Sequence, residues 1–208
     1  MPSLQESLRE APLPAAQLLE FALALGAFLG ERHALDEHRG DLSISSIFRE
    51  ADGSLSLAAE PLSPQQLERE GALAPEAWDE DGEPQLVATP RAEVWQAGIL
   101  LYLAISGEHP FDEDDPELRR DLVQYQDPAL PGSLRPELPL EWDPILSCCL
   151  HKEPRERFAN GLDLERELQQ LAESGGSPRR QARQLSPKRI AALALTLIAA
   201  LTLWLLLR

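Results

Sequence analysis

Eighteen consecutive residues near the end of the sequence carry no charge, and this run constrains the fold more than any other feature. The run, at residues 190–207, reads IAALALTLIAALTLWLLL. As a helix it would be ~27 Å long, close to the ~30 Å thickness of the hydrocarbon core of a bilayer. Trp204 lies near its far end, where an indole ring suits the membrane interface. The sequence therefore predicts one C-terminal transmembrane helix at residues 190–207.

Charge is divided unevenly along the chain. Residues 1–174 hold all thirty-five acidic residues and thirteen of the nineteen basic ones, a net charge of −22. This acidic body argues against nucleic-acid binding, which requires basic contacts to phosphate. Basic residues precede the apolar run at positions 179, 180, 183, 188 and 189, and Arg208 follows it. The positive-inside rule then predicts a membrane protein whose N-terminal body lies in the cytoplasm.

Composition also divides the chain into segments. Residues 173–189 are rich in Ser, Gly, Pro and Arg and lack an apolar period, which predicts a flexible basic linker. The body, residues 1–172, shows helical periodicity at Pro14–Glu31, Glu93–Ser106, Asp115–Gln126, Trp142–His151 and Gly161–Glu173. Asp52-Gly53 is a turn signal for a hairpin within Ser43–Leu57. We therefore expect a mainly α fold with one small β-hairpin.

Few residues indicate catalytic or metal chemistry by their spacing alone. Cys148 and Cys149 are neighbours and cannot form a disulfide framework, so we interpret them as small buried residues on a helix. His33, Asp36, Glu37 and His38 have an unspecific spacing, which favours a solvated loop over a metal site. The acidic run at 112–115 is expected to cap the helix that follows it.

A series of short motifs occurs in one order along the body. These are RGDLSISSI at 39–47, DGSLSLAAEP at 52–61, APE at 74–76, EVWQAG at 93–98, GEHPF at 107–111 and LHKEPRERF at 150–158. Their order and spacing resemble the C-terminal lobe of bacterial eukaryotic-like Ser/Thr protein kinases. The resemblance covers about residues 3–171. It aligns the motifs with the catalytic loop, the hairpin before D-F-G, the A-P-E motif, the D-V-W-S-x-G…T-G-x-P-F helix and the L-x-K-D-P-x-x-R-P turn.

The resemblance implies a retained scaffold. Glu76 and Arg157 match a buried ion pair that ties the activation segment to the helical floor of the lobe. Trp95 and Gly98 belong to the helix motif and are expected to be structural. Glu93 matches an aspartate that holds the backbone of the catalytic loop, and its extra methylene is expected to weaken that contact.

The same resemblance implies a lost active site. Asp41 falls on the catalytic-base position, but Ala59 replaces the D-F-G aspartate, and Ser46 and Ser43 replace the catalytic-loop asparagine and lysine. The family's Gly-rich loop, strand lysine and partner glutamate belong to an N-terminal lobe, and the sequence begins after it. We therefore expect a pseudokinase without a cofactor, a metal ion or a small-molecule substrate, in which Asp41 is a loop aspartate that accepts hydrogen bonds from backbone amides.

Three functions compete at this point. The leading hypothesis is a membrane-anchored scaffold or regulatory module that binds a membrane-associated protein and meets the bilayer through its C-terminal helix. The second is half of a split kinase whose N-terminal lobe comes from another chain, against which Ala59 and Ser46 weigh. The third is a degenerate kinase gene fragment.

Overall fold

The computed structural model describes Leu8 and residues 12–174. This part of the chain is mainly helical with one two-stranded hairpin, as the sequence predicts. None of the helices in it is both long and apolar enough to cross a bilayer. The predicted transmembrane helix at 190–207, and all but the first two residues of the predicted linker at 173–189, lie outside the described residues.

The first helix, α1, spans Ala15–Ala34. Its buried side chains recur every three or four residues and include Leu18, Phe21, Leu25 and Leu29. The sequence pattern predicts an end at Glu31, whereas the helix continues for three more residues. Because of this extension, His33 belongs to the helix and not to the loop in which the sequence places it.

A short antiparallel hairpin follows α1. Strands β1, Ile47–Arg49, and β2, Leu55–Leu57, pair Ile47 with Leu57 and Arg49 with Leu55. Gly53 has a φ of 90° in the connecting turn, a conformation that glycine adopts without strain. The hairpin confirms the turn predicted at Asp52-Gly53.

The other helices of the described residues form the floor of the fold. They are α2 (Pro64–Arg69), α3 (Pro90–Ser106), α4 (Pro116–Tyr125), α5 (Pro131–Leu134), α6 (Trp142–Cys149) and α7 (Gly161–Glu173). Short 3-10 turns lie at Pro75–Ala77 and Pro154–Glu156. The Asp115 side chain accepts hydrogen bonds from two amides of the first turn of α4, which confirms the predicted cap. The sequence pattern did not predict α2 and α5, which have six and four residues.

Helix α3 lies at the centre of this floor. It packs against α1, α5, α6 and α7, and most of its side chains are buried. Thr89 caps its N-terminus, and Gly107 ends it with a φ of 77°. Helix α7 lies very close to α1: a Cβ added to Gly161 would clash with the carbonyl carbon of Leu29. The N-terminal residues of α3 and the C-terminal end of α1 both lie next to the loop that carries Asp41.

Candidate functional site at Asp41

Two side chains of α3 bind the backbone of the loop between α1 and β1. The Glu93 Oε1 atom accepts hydrogen bonds from the amides of Arg39 (2.6 Å) and Gly40 (2.8 Å). The Gln96 Oε1 atom accepts from the Leu42 amide (3.1 Å), and its Nε2 donates to the Gly40 carbonyl (2.7 Å). Gly40 has a φ of 75° and a Cβ there would meet the Val87 carbonyl oxygen at 2.5 Å. These contacts fix the backbone on either side of Asp41.

The contact between Glu93 and the loop is present despite the longer side chain. The extra methylene lets Glu93 bind the loop with one oxygen and His33 with the other, at 2.8 Å from Oε2 to His33 Nε2. His33 Nδ1 accepts a hydrogen bond from the Gly161 amide, so the ring proton is on Nε2 and points to Glu93. Burial alone would raise the pKa of Glu93, but the hydrogen bonds from His33 and from the two loop amides hold it below its usual value.

His33 is therefore a structural residue of the core. Its side chain is 1% exposed and joins α1, α3 and α7. The solvated loop predicted for it is wrong, because the three additional residues of α1 carry the ring inwards. His38 Nδ1 lies 3.8 Å from Asp36 Oδ1, and the described residues contain no metal-binding cluster of His, Cys, Asp or Glu.

Asp41 is fully buried, and both of its carboxylate oxygens are engaged. Oδ1 accepts a hydrogen bond from Arg39 Nε (3.0 Å), and Oδ2 accepts from Arg39 Nη2 (2.6 Å) and from the Leu62 amide (3.0 Å). The remaining guanidinium nitrogen, Nη1, donates to the Ala58 carbonyl at 2.7 Å. The expected amide contact is present, but the main partner of Asp41 is an arginine two residues before it.

Ser46, Ser43 and Ala59 are the three positions that differ from the kinase pattern. The contacts of their side chains, where they have any, are within their own loop. Ser46 Oγ donates to the Asp41 carbonyl (2.7 Å) and accepts from the Ser43 amide (2.8 Å), so this hydroxyl closes the loop on itself. The Ser43 Oγ lies within 3.4 Å of the Ser45 hydroxyl. Ala59 is exposed, and the carbonyl of the preceding residue, Ala58, is the one that Arg39 binds.

Glu76 and Arg157 form a two-pronged ion pair. Arg157 Nη1 and Nη2 lie 2.8 and 2.7 Å from the two oxygens of Glu76. The other donors of this guanidinium bind the carbonyls of His151, Arg91 and Lys152. Because Arg157 is 3% exposed, each of its five N–H groups needs a partner, and the site supplies all of them.

Trp95 and Gly98 pack on the same side of α3. The Trp95 ring stacks on Phe111 with centroids 5.6 Å apart, and the Arg157 guanidinium lies 5.0 Å from the Trp95 centroid. The Lys152 ammonium lies 4.2 Å from the Phe111 centroid, and burial lowers its pKa to about 8. A Cβ on Gly98 would meet Cys149 at 2.8 Å, so only glycine allows α3 and α6 to approach this closely.

Comparisons with known proteins show a distant relation to one family. An alignment 167 positions long covers 75% of this chain and is 23% identical to the serine/threonine-protein kinase PknE of Mycobacterium tuberculosis. This chain is a distant relative of serine/threonine protein kinases. Shorter stretches are similar to PksC of Streptomyces coelicolor (29% over 84 residues, 40% of this chain) and to a probable serine/threonine-protein kinase of Clostridium acetobutylicum (30% over 79 residues, 38% of this chain). No protein-family model matches the chain.

The relation covers a small part of those kinases. The matched segments span 28%, 15% and 12% of the lengths of the three proteins, in the order given. A shared fold does not establish a shared reaction, so the chemistry of this chain has to be argued from its own site.

Sequence reasoning missed Arg39, His33 and Gln96 as parts of the site. Arg39 lies at the start of the motif that resembles the catalytic loop, where the resemblance gives it no role of its own, and Gln96 occupies a motif position at which kinases have a serine. A cation two residues before the base position was the one available signal, because a guanidinium at that separation can fold back onto the carboxylate.

Proposed function

We propose that this chain is a non-catalytic, kinase-related module that is held at a membrane and acts by binding another membrane-associated protein. The observation that carries the proposal is the guanidinium of Arg39, which binds both oxygens of Asp41. A general base must reach the proton that it accepts. Here the carboxylate at the base position is buried and its partners are all internal to the chain.

The surrounding positions support the same reading. Phosphoryl transfer relies on positioned cations that neutralise the charge of the phosphates. Ala59 offers a methyl group where kinases present a metal-binding carboxylate, and the Ser46 hydroxyl is committed to the backbone of its own loop. The cation in this region is Arg39, and it neutralises Asp41 rather than a nucleotide.

The parts that hold the lobe together are complete. Glu76 and Arg157 are paired, Glu93 binds the loop through two amides, and Trp95 is stacked. A surface for a protein partner requires this scaffold but not the catalytic groups. The proposal therefore accounts for both the intact contacts and the altered site.

The membrane part of the proposal rests on the sequence. Residues 190–207 would span the bilayer, and the basic residues before them would keep the acidic body in the cytoplasm. Confinement next to a membrane raises the effective concentration of a membrane-associated partner, so a small interface can suffice.

The test is quantitative crosslinking of the tagged full-length chain in the membranes of its own cell. We expect Asp41→Asn to retain the crosslinked partners of the wild-type chain, because the base position takes no part in a reaction. Arg157→Ala is the folding control and should lose them. If Asp41→Asn abolished the cellular activity of the chain while its fold and its partners persisted, a catalytic function such as that of a split kinase would replace this proposal.

A further inference from the structure

A groove runs between α6 and α7, on the lobe surface formed by residues 141–174. It has a volume of about 420 Å³ and is open to solvent along one side. Ile145, Phe158 and Leu171 contribute its apolar surface, and Cys148 lies in its wall. Ligand-binding clefts are typically about 300–1,000 Å³, so the groove is large enough to accept one or two side chains of a bound segment.

Acidic side chains border this apolar surface. Glu141 lies at the start of α6 and Glu167 lies in the middle of α7, and both line the groove. The Glu141 Oε2 atom is shielded from solvent and accepts no hydrogen bond within the part of the chain that is described. A carboxylate oxygen in that position is left without the donors that it would have in water. A donor brought by a ligand would relieve this cost.

One cation near the Cys148 wall of the groove, Arg91, is already engaged. Arg91 Nη1 donates to the carbonyls of Pro154 and Arg157, each at 2.8 Å. Its charge is therefore directed at the turn before α7. The rim formed by Glu141 and Glu167 remains acidic.

We propose that this groove binds a peptide segment of the membrane-associated partner in which an apolar side chain adjoins an arginine or lysine. The apolar side chain would lie on Ile145 and Leu171, and the cation would reach Glu141 or Glu167. The inference rests on the proposed function and adds to it the docking surface and the partner's chemistry. Membrane proteins carry an excess of Lys and Arg in the cytoplasmic segments that adjoin their transmembrane helices, which is the charge that this rim complements.

The experiment uses Cys148 as a reporter inside the groove. The purified full-length chain, in discs of neutral lipid, is labelled with N-ethylmaleimide at pH 8.5, and labelling is read by mass spectrometry. Cys148 is half-buried and burial raises the pKa of its thiol, so its labelling is slow enough to follow, while the fully buried Cys149 serves as the internal reference. The probes are three hexapeptides that alternate leucine with arginine, leucine with glutamine, and serine with arginine.

We expect the leucine–arginine peptide to protect Cys148 and the other two peptides to protect it weakly or not at all. Glu141→Gln and Glu167→Gln should each weaken protection about five-fold, because each removes one charge-assisted contact. Glu173→Gln is the matched control: it removes the same charge from an exposed position of α7 outside the groove, and should change protection less than two-fold. Circular dichroism of each variant checks that the lobe is folded.

Two results would overturn the inference. Equal protection by the leucine–glutamine peptide would show that the acidic rim does not select the ligand. Binding of the leucine–arginine peptide without protection of Cys148 would show general attraction to the acidic body. The same conclusion would follow if Glu173→Gln weakened the protection of Cys148 as much as Glu141→Gln and Glu167→Gln do. Neither result involves nucleotide, so a failure here is distinct from a failure of the non-catalytic function.

Discussion

Arg39 determines what the carboxylate of Asp41 is able to do. The two residues are two positions apart, and the loop turns through Gly40 so that two guanidinium nitrogens bind the two carboxylate oxygens. Asp41 is fully buried, whereas the Arg39 side chain is 27% exposed. The pair therefore joins a buried charge to a cation that water still reaches. It acts as a clamp on the loop, and its removal should be visible as a loss of stability.

Replacing Asp41 by Asn should lower the free energy of unfolding by about 1–3 kcal/mol, because a charge-assisted contact is lost and Arg39 remains. Arg39→Gln should lower the free energy of unfolding less in the Asp41→Asn variant than in the wild-type chain. The difference between the two losses, which is the coupling energy of the pair, should be about 1 kcal/mol or more. Urea unfolding followed by tryptophan fluorescence measures both quantities. Asp36→Asn, at an exposed loop position, is the control and should change stability by less than about 0.5 kcal/mol. A more stable Asp41→Asn variant would contradict the clamp, since removal of strained catalytic groups often stabilises an enzyme.

His109 makes the stability of the lobe depend on pH. Its ring packs against Gly71 with Nε2 shielded from solvent, and its Nδ1 accepts a hydrogen bond from the Phe111 amide, so the neutral ring fits the site. Burial lowers the pKa of His109 to about 4, against an ordinary value of 6.5. The unfolded chain therefore binds a proton more readily than the folded one between these values. This contribution to stability is complete above pH 6.5 and is lost as the pH falls towards 4.

The variant His109→Asn tests this dependence, because its Oδ1 can still accept from the Phe111 amide. Between pH 7 and pH 4.5 the wild-type chain should lose about 2–3 kcal/mol more stability than the variant does. Urea unfolding at the two pH values measures the difference, in which the titration of the carboxylates cancels. Equal losses in the two proteins would show that His109 is protonated in the folded state or is accessible to water.

At the scale of elements, the sequence predicted the helices that have long apolar faces. Helices α1, α3, α4, α6 and α7 follow from periodicity and from caps such as Asp115, which act over three or four residues. Helices α2 and α5 were not predicted because six and four residues are too few for a period to show. The end of α1 was placed three residues early, and that small error moved His33 from the core to a loop.

The site itself was less predictable because its contacts join distant residues. Glu93 meets Arg39 and Gly40 over 54 and 53 positions, and His33 meets Gly161 over 128. The motif order indicated that Glu93 approaches the loop, but not that a longer side chain would gain a second partner in His33. Such a gain depends on the spacing between α1, α3 and α7, which local sequence does not specify.

Arg157 gives a sharp test of how the turn before α7 is held. Two nitrogens of its guanidinium bind the carboxylate of Glu76, and the guanidinium also donates hydrogen bonds to three backbone carbonyls. The site is buried. Lysine keeps the charge but has no planar array of donors. Arg157→Lys should therefore lower the free energy of unfolding by about 2–4 kcal/mol, whereas Arg155→Lys at an exposed position should change it by less than about 0.5 kcal/mol. Similar effects of the two variants on urea unfolding would show that the ion pair contributes little to the fold.

At the scale of the whole molecule, a kinase-related scaffold is combined with an altered site and an uneven charge. The described lobe keeps the contacts that organise its helices, while the loop at Asp41 is closed by Arg39 and Ser46. The acidic body and the basic residues at 179–189 would face the same membrane surface if residues 190–207 span the bilayer. The partner that we propose, with basic segments next to its membrane helices, would meet this body with complementary charge.

The central claim is that the site at Asp41 does not handle nucleotide, and the most direct measurement is the melting temperature of the purified full-length chain in the presence of MgATP. A ligand that binds the native state alone, at a hundred times its dissociation constant, stabilises it by about 2.7 kcal/mol, which corresponds to a shift of several degrees. The account predicts no shift at millimolar MgATP, for the wild-type chain and for Asp41→Asn alike. A rise in melting temperature that increases with MgATP concentration in the wild-type chain, and is absent without Mg²⁺, would contradict it.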